Sequence, residues 1–230
     1  IVECWGHNDY GQLGYGYFDF GPRTVSGISN ASEIGVGSYH SCARLDNGSV
    51  KCWGSMFSVG IDTSYHQLSP VTVDNITTAS QISSANHHSC ARLSDGTVKC
   101  WGNNNSGQLG DGTTTNRSSP VTVSGLNGAT HLALGSGFSC ALLSDSTVKC
   151  WGRGNYGQLG NGATDNHTTP VTVSGVSNAI EISAGTDHAC ARINDGTVKC
   201  WGKFYKGDGF AHSIGSTPTQ VIGITGAVQL

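Results

Sequence analysis

Charge is scarce in this sequence. Only 12% of the 230 residues are charged, and the net charge is −3. That balance gives no basic face for nucleic acid. Proline is also rare, with five residues. No apolar run approaches the length of a membrane span, so none is expected. Helical periodicity is missing throughout. There is no G-x-S-x-G, H-E-x-x-H or phosphate-binding loop, and no marked pair of carboxylates for acid–base work. The expectation is a protein that is not an enzyme and needs no cofactor or metal. No signal peptide is visible, and Ile1 falls in mid-repeat, as in a mature or trimmed fragment.

Glycine, in contrast, is abundant at 34 residues, and 37% of the chain is hydrophobic. That profile suits many short strands with tight turns. The stretch 90–102 reads C-A-R-L-S-D-G-T-V-K-C-W-G, and it returns at 42–54, 140–152 and 190–202. The second half of a fifth copy, I-V-E-C-W-G, opens the chain. Within each copy the cysteines are ten apart: Cys42 and Cys52, Cys90 and Cys100, Cys140 and Cys150, Cys190 and Cys200. If each pair faces across a β-hairpin, Leu93 faces Thr97 and a three-residue loop is left. Such a loop favours a type I turn followed by a left-handed residue. Gly48, Gly96 and Gly196 occupy that place, and Ser146 is the exception, where strain or an altered turn is expected. Directly opposed strand residues lie close enough for a disulfide. Zinc ligands usually come as C-x₂₋₄-C, so a gap of nine residues with a turn inside points to disulfides and an oxidising compartment.

Repetition organises the whole chain. Tryptophans fall at Trp5, Trp53, Trp101, Trp151 and Trp201, spaced by 48, 48, 50 and 50 residues. The prolines share one repeat position: Pro22, Pro70, Pro120, Pro170 and Pro218. Each is read as the first residue of a last strand, where no ladder donor is lost. A short apolar segment, the cysteine hairpin and Pro-Val-Thr-Val make four strands per period. The fold class expected is all-β, a β-propeller of four-stranded blades, with residues 1–230 forming one repeat array.

The run C-A-R-L-x-D-G-T-V-K-C-W-G, followed by N-N-N-S-G-Q-L-G-D-G-T-T, resembles the regulator of chromosome condensation repeat. Gly-Gln-Leu-Gly is intact at 11–14, 107–110 and 157–160, and degraded at 58–61 and around 206–209. The resemblance covers essentially the whole chain and implies a propeller, usually of seven blades. Here about five periods are present, and the hairpin disulfides suggest a secreted branch.

Residues 226–230 align with 128–132 and Ile1 aligns with Thr147, so a continuous fifth period lacks the equivalents of 133–146. That piece would carry the partner of Cys4, the odd cysteine. Three readings stand: a window cut from a longer array, one incomplete blade shared by the two ends, or an open edge that pairs head to tail with another molecule.

Several recurring groups carry candidate chemistry. His40, His88 and His188 precede the first hairpin cysteine by two, with Phe138 in the third copy; a structural hydrogen-bonding role is expected. Residues 111–116 and 161–166 are rich in oxygen ligands that suit calcium, yet the same residues are ordinary turn formers. Lys51, Lys99, Lys149 and Lys199, with Arg44, Arg92 and Arg192 on the facing strand, are read as solvated outer charge that blunts edge pairing. Six sequons have acceptors Asn30, Asn47, Asn75, Asn104, Asn116 and Asn166. The loops after Trp-Gly differ most between periods. They hold Tyr17, Phe18 and Phe20 in the first period, Phe57 and Tyr65 in the second, and Phe204, Tyr205 and Phe210 in the fifth. Clustered loop aromatics on one propeller face suit a binding surface. Two functions are therefore expected ahead of others: a secreted scaffold that binds a protein or glycan or assembles with itself, and a secreted inhibitor or regulatory binder of an enzyme. Guanine nucleotide exchange, which the resemblance implies, fits the acidic charge and the disulfides poorly, and a hydrolase ranks last.

Overall fold

The structure is a computed structural model that describes residues 1–16, 21–204 and 213–230. Among these, all regular structure is strand. Four antiparallel sheets of four strands follow one another along the chain. The first holds β3 (Ala31–Val36), β4 (His40–Leu45), β5 (Val50–Gly54) and β6 (Gln67–Thr72). The second holds β7 (Ala79–Ser84), β8 (His88–Leu93), β9 (Val98–Gly102) and β10 (Arg117–Thr122). The third holds β11 (Ala129–Gly135), β12 (Phe138–Leu143), β13 (Val148–Gly152) and β14 (His167–Thr172). The fourth holds β15 (Ala179–Ala184), β16 (His188–Ile193), β17 (Val198–Phe204) and β18 (Ser213–Gln220). Ahead of them, β1 (Glu3–Cys4) pairs with β2 (Arg23–Thr24).

The cysteine stretch folds as its spacing dictates. Cys90 faces Cys100 in register, as do the other three pairs, and all four pairs are bonded. In the connecting turn Gly96 N donates to Leu93 O at 3.0 Å, and Asp95 Oδ1 accepts from Thr97 N and Oγ1. Gly48, Gly96 and Gly196 have φ near +80°. Ser146 keeps the same Ser146 N to Leu143 O bond and takes φ +65° itself, so the turn is unaltered and the residue is strained.

The prolines sit differently from the expectation. β6, β10 and β14 each begin three residues before their proline. The register between β5 and β6 shifts between Cys52↔Val71 and Gly54↔Gln67, so Pro70 lies inside an irregular stretch rather than at a strand start. The fourth strand is the outer edge of its sheet, where a missing N–H and a local bulge are both tolerated.

The first strands of successive sheets lie together on the inside. Glu33 Oε2 accepts from Ile82 N at 2.9 Å, and the Gln81 amide accepts from Leu132 N and donates to Leu132 O. The sheets are thus blades set side by side around an axis, a β-propeller arrangement. Their core lies between blades. One cluster joins Cys42, Val50, Cys52 and Val59 of the first blade to Ile82 and Trp101 of the second.

Each indole closes one such junction. Trp53, Trp101, Trp151 and Trp201 have no exposed surface, and their Nε1 atoms donate to Gln12, Ser58, Gln108 and Gln158 carbonyls of the preceding period. The last glycine of Gly-Gln-Leu-Gly lies flat on that ring: a Cβ at Gly110 would stand 2.8 Å from Trp151 Nε1. Because the acceptor is a backbone carbonyl, the degraded motif at Ser58 still supplies it.

Alternating connections separate the two ends of the propeller. One end carries the tight turns, Asp-Gly or Asn-Gly in three blades and Asp145-Ser146 in the third, and the short links between blades. The other carries the turns between first and second strands and the long loops between third and fourth strands. Cys4 pairs with Arg23 as Cys52 pairs with Val71, so β1 and β2 reproduce the outer half of a blade. Cys4 is a free thiol whose pKa burial pushes up. Trp5 is 65% exposed.

Candidate binding face

The long-loop end gathers the side chains in which the periods differ. Tyr39 and His87 occupy the same repeat position, just before the buried histidine, and their rings stack at 5.3 Å. Tyr10 packs on Tyr39 at 4.7 Å and edge-on against His66 at 5.0 Å. An aromatic row therefore crosses the first two blades. A cavity of about 290 Å³ continues it between the second and third blades, lined among others by Asn86, His87, Asn103, Ser106, Ser136 and Arg153. Arg153 then reaches toward the fourth blade, with Nη1 3.5 Å from Asp187 Oδ1.

The aromatic loop residues named from sequence fall unevenly. Phe57 and Tyr65 lie in the loop between β5 and β6 on this same end, 60% and 78% exposed. Phe204 ends β17. Tyr17, Phe18, Phe20, Tyr205 and Phe210 lie outside the described residues. The residues missed were Tyr10, Tyr39, Arg153 and Tyr156. The usable signal was variation at a fixed repeat position, since Tyr39, His87, Gly137 and Asp187 are equivalents in otherwise constant surroundings.

Beneath the face, the recurrent histidines join blades. His40 Nε2 lies 2.7 Å from Ser89 Oγ, and His88 Nε2 lies 2.9 Å from Ser139 Oγ. Ser139 Oγ donates onward to Gln108 O. Burial, then the charge of nearby histidines, pushes both pKa values down to about 3. Phe138 replaces histidine in the third blade, and Ala189 replaces its serine partner. The polar pair is thus exchanged as a unit for an apolar one, which leaves no buried group unsatisfied.

Most of the recurrent cations are engaged rather than simply solvated. Arg44 pairs with Glu33 and Arg192 with Glu181. Lys51, Lys99 and Lys199 donate to the carbonyls of Gly27, Asn75 and Gly175, in the links between blades. The oxygen-rich loop at 111–116 is closed by its own residues: Asp111 accepts from Thr113 and pairs with Arg117 at 3.0 Å.

The sequons divide by place. Asn30, Asn47 and Asn75 are exposed on the tight-turn end. Asn116 and Asn166 are exposed at the ends of long loops, where their Oδ1 atoms accept from Asn104 N and Gly154 N. Asn104 has no exposed surface, and its amide donates to Thr113 O and accepts from Leu109 N. The folded chain has no room for a glycan at Asn104.

Comparison with known proteins follows the same lines. The sequence model described as "Regulator of chromosome condensation (RCC1) repeat" matches residues 4–44, 95–142 and 146–192, and a second model of that description matches 31–58, 79–108, 129–158 and 179–208. No curated protein matches the chain. Among solved structures, yeast RCC1 (Prp20) bound to Kap60 aligns with a TM-score of 0.79 at 22% identity, over 96% of this chain and 59% of that one. Human WBSCR16 gives 0.83 at 22% identity, over 94% and 61%. The CRINKLY WD40 ectodomain of the Arabidopsis thaliana receptor kinase ACR4 gives 0.53 at 21% identity, over 90% and 63%. The chain spans about three-fifths of the length of these structures. At such identities the likeness extends to the fold. Matched repeats cover more than half of the sequence, in phase with the tryptophans and the bonded hairpins, and the chain belongs to the RCC1 repeat family.

Proposed function

We propose that the protein is a non-enzymatic extracellular binding module that recognises a protein or glycan partner through its long-loop face. The observation that carries this reading is the asymmetry of the two ends. One end is built from near-identical turns, while the other concentrates the aromatic row of Tyr10, Tyr39 and His87 and the cavity that follows it. Variation confined to one face of a rigid scaffold is how binding surfaces are built on repeat folds. Four bonded hairpins require an oxidising environment, which supports a secreted location. Glycans at Asn30, Asn47 or Asn75 would cover the tight-turn end and leave the loop face open. Prp20, of similar fold, has been solved bound to Kap60 and studied for its binding to Gsp1p and histones, which lends weight to a partner-binding role for this fold.

The test compares the two faces. The folded chain is immobilised and offered a glycan array and defined extracellular proteins. Tyr39→Ser with His87→Ser should abolish capture of any bound partner, while Asp95→Ser with Asp195→Ser on the tight turns should leave it intact. Loss on the tight-turn variant alone, or chemical turnover of the captured ligand, would overturn the reading.

A further inference from the structure

The repeat places glutamine at Gln12, Gln108 and Gln158, always in one pose. Its Oε1 accepts the amide two residues earlier: Tyr10 N at 3.0 Å, Ser106 N at 2.9 Å and Tyr156 N at 2.7 Å. Its Nε2 is thereby turned toward the residue five positions earlier. Gln12 meets His7 Nδ1 at 2.9 Å, and Gln108 donates to Asn103 Oδ1 at 2.6 Å. In the third blade that residue is Arg153, which has no acceptor. Gln158 is fully buried and its Nε2 has no partner. A buried donor left unused is uncommon in a folded chain and calls for an explanation.

The surroundings of that donor supply one. Arg153 lies with its guanidinium carbon 4.9 Å from the Tyr156 ring centroid, and Lys203 Nζ lies at the same distance. Two cations thus stand on one ring beside an unused amide donor. Among the described residues, the carboxylate that pairs with Arg153 is Asp187, and its contact is long at 3.5 Å. The balance favours a second, incoming carboxylate. Arg153 is also the last wall of the cavity, whose other named walls are amides, hydroxyls and the His87 imidazole. Tyr39 stacked on His87 forms a shelf at its rim. A chamber of this size lies at the small end of ligand sites. Hydrogen-bonding walls with an aromatic shelf suit a hydroxylated ring. They lack the apolar pocket that anchors a protein hot spot.

We propose that Arg153 and Lys203 hold the carboxylate of an acidic sugar, a uronic-acid unit of a glycan, whose ring lies over the cavity toward His87, and that Gln158 Nε2, buried in this structure, joins them once Arg153 turns to the ligand. This rests on the loop face being the binding face, and it names the ligand class for that face.

The decisive variant is Arg153→Asn. It gives Gln158 the acceptor that Asn103 gives Gln108, so it should raise the melting temperature while removing the carboxylate site. Binding is read by calorimetry with a glucuronate-containing tetrasaccharide, a neutral glucose tetrasaccharide and a tetraglutamate peptide. The wild-type chain should bind the acidic saccharide alone, more weakly as salt rises. Arg153→Asn and Lys203→Gln should each weaken it at least tenfold, and Asp187→Asn should tighten it severalfold by removing the competing charge. Absent binding at millimolar saccharide, equal binding of the neutral saccharide, preference for the peptide, or full binding by Arg153→Asn each overturns the proposal. If a partner captured by the loop face depends on Tyr39 and His87 but not on Arg153, the loop-face reading stands and the carboxylate site falls.

Discussion

His40 and His88 have almost no exposed surface, and burial holds both neutral, with pKa values pushed down to about 3. In the unfolded chain each would titrate near 6.5. Between those values the unfolded state takes up protons that the folded state refuses. Stability from these groups is therefore fully present above about pH 6.5 and falls as the pH drops toward 3. At pH 5 the loss is on the order of 1–2 kcal/mol per histidine. The third blade shows the remedy, because Phe138 and Ala189 fill the same junction without a proton site. His40→Phe with Ser89→Ala should leave the melting temperature at pH 7 within a few degrees of wild type. Melting scans from pH 7 to 4 should show a smaller loss of stability than in wild type, with His88, the half-buried His131 and, toward pH 4, the hydrogen-bonded carboxylates carrying the rest. Ser146 gives the second residue-scale prediction. A left-handed backbone costs a β-carbon about 1 kcal/mol, and three sister turns use glycine there. Ser146→Gly should stabilise the chain by up to about 1 kcal/mol, read as a raised denaturation midpoint and offset in part by the greater freedom of glycine when unfolded.

Within one blade the bonded hairpin is the element that the sequence made legible. Ten-residue spacing and a central Asp-Gly set strand pairing and turn type at once, because both are local. The fourth strand was harder to read. Its proline looked like a start, but a bulge on an outer edge hides proline from the ladder, and that depends on which strand is outermost. The four clips are not equally sheltered. Cys42, Cys90 and Cys140 have no exposed surface, whereas Cys190 retains some. Thiol exchange needs access for an attacking thiolate. Under a mild reductant in native buffer, alkylation and peptide mapping should find Cys190 and Cys200 labelled first. The other three pairs should resist until the chain unfolds, and simultaneous labelling of all four would show that opening is global. Removing the Cys140–Cys150 clip with a pair of alanines should cost about 2–3 kcal/mol on the chain-entropy model.

Across the whole molecule, blades are coupled by contacts 41–51 residues apart, mostly side chain to backbone. Such contacts leave no mark in a periodic pattern, which is why the repeat was readable and its junctions were not. The loop face was only half readable for a related reason. Aromatic content singled out the loops, whereas the residues brought together there, Tyr10 with Tyr39 and Arg153 with Asp187, come from different periods. One junction can be rewritten using its neighbours. In the first blade Glu33 Oε2 serves two donors, Arg44 Nε of its own blade and Ile82 N of the next. In the second blade Gln81 takes that place. Its amide is committed to Leu132, and Arg92 Nε is buried without a partner. Gln81→Glu restores the carboxylate that Arg44 and Arg192 enjoy, keeps an acceptor for Leu132 N and loses only the donor to Leu132 O. It should stabilise the chain by about 1 kcal/mol at neutral pH, since a charge-assisted bond outweighs the neutral one it replaces. That gain should vanish as the new carboxylate is protonated below about pH 4. Gln81→Leu removes both bridging bonds and should cost about 2 kcal/mol. It should also lower the urea m-value if the junction transmits cooperativity from one blade to the next. A lowered midpoint with an unchanged m-value would place the coupling in the apolar clusters between blades instead.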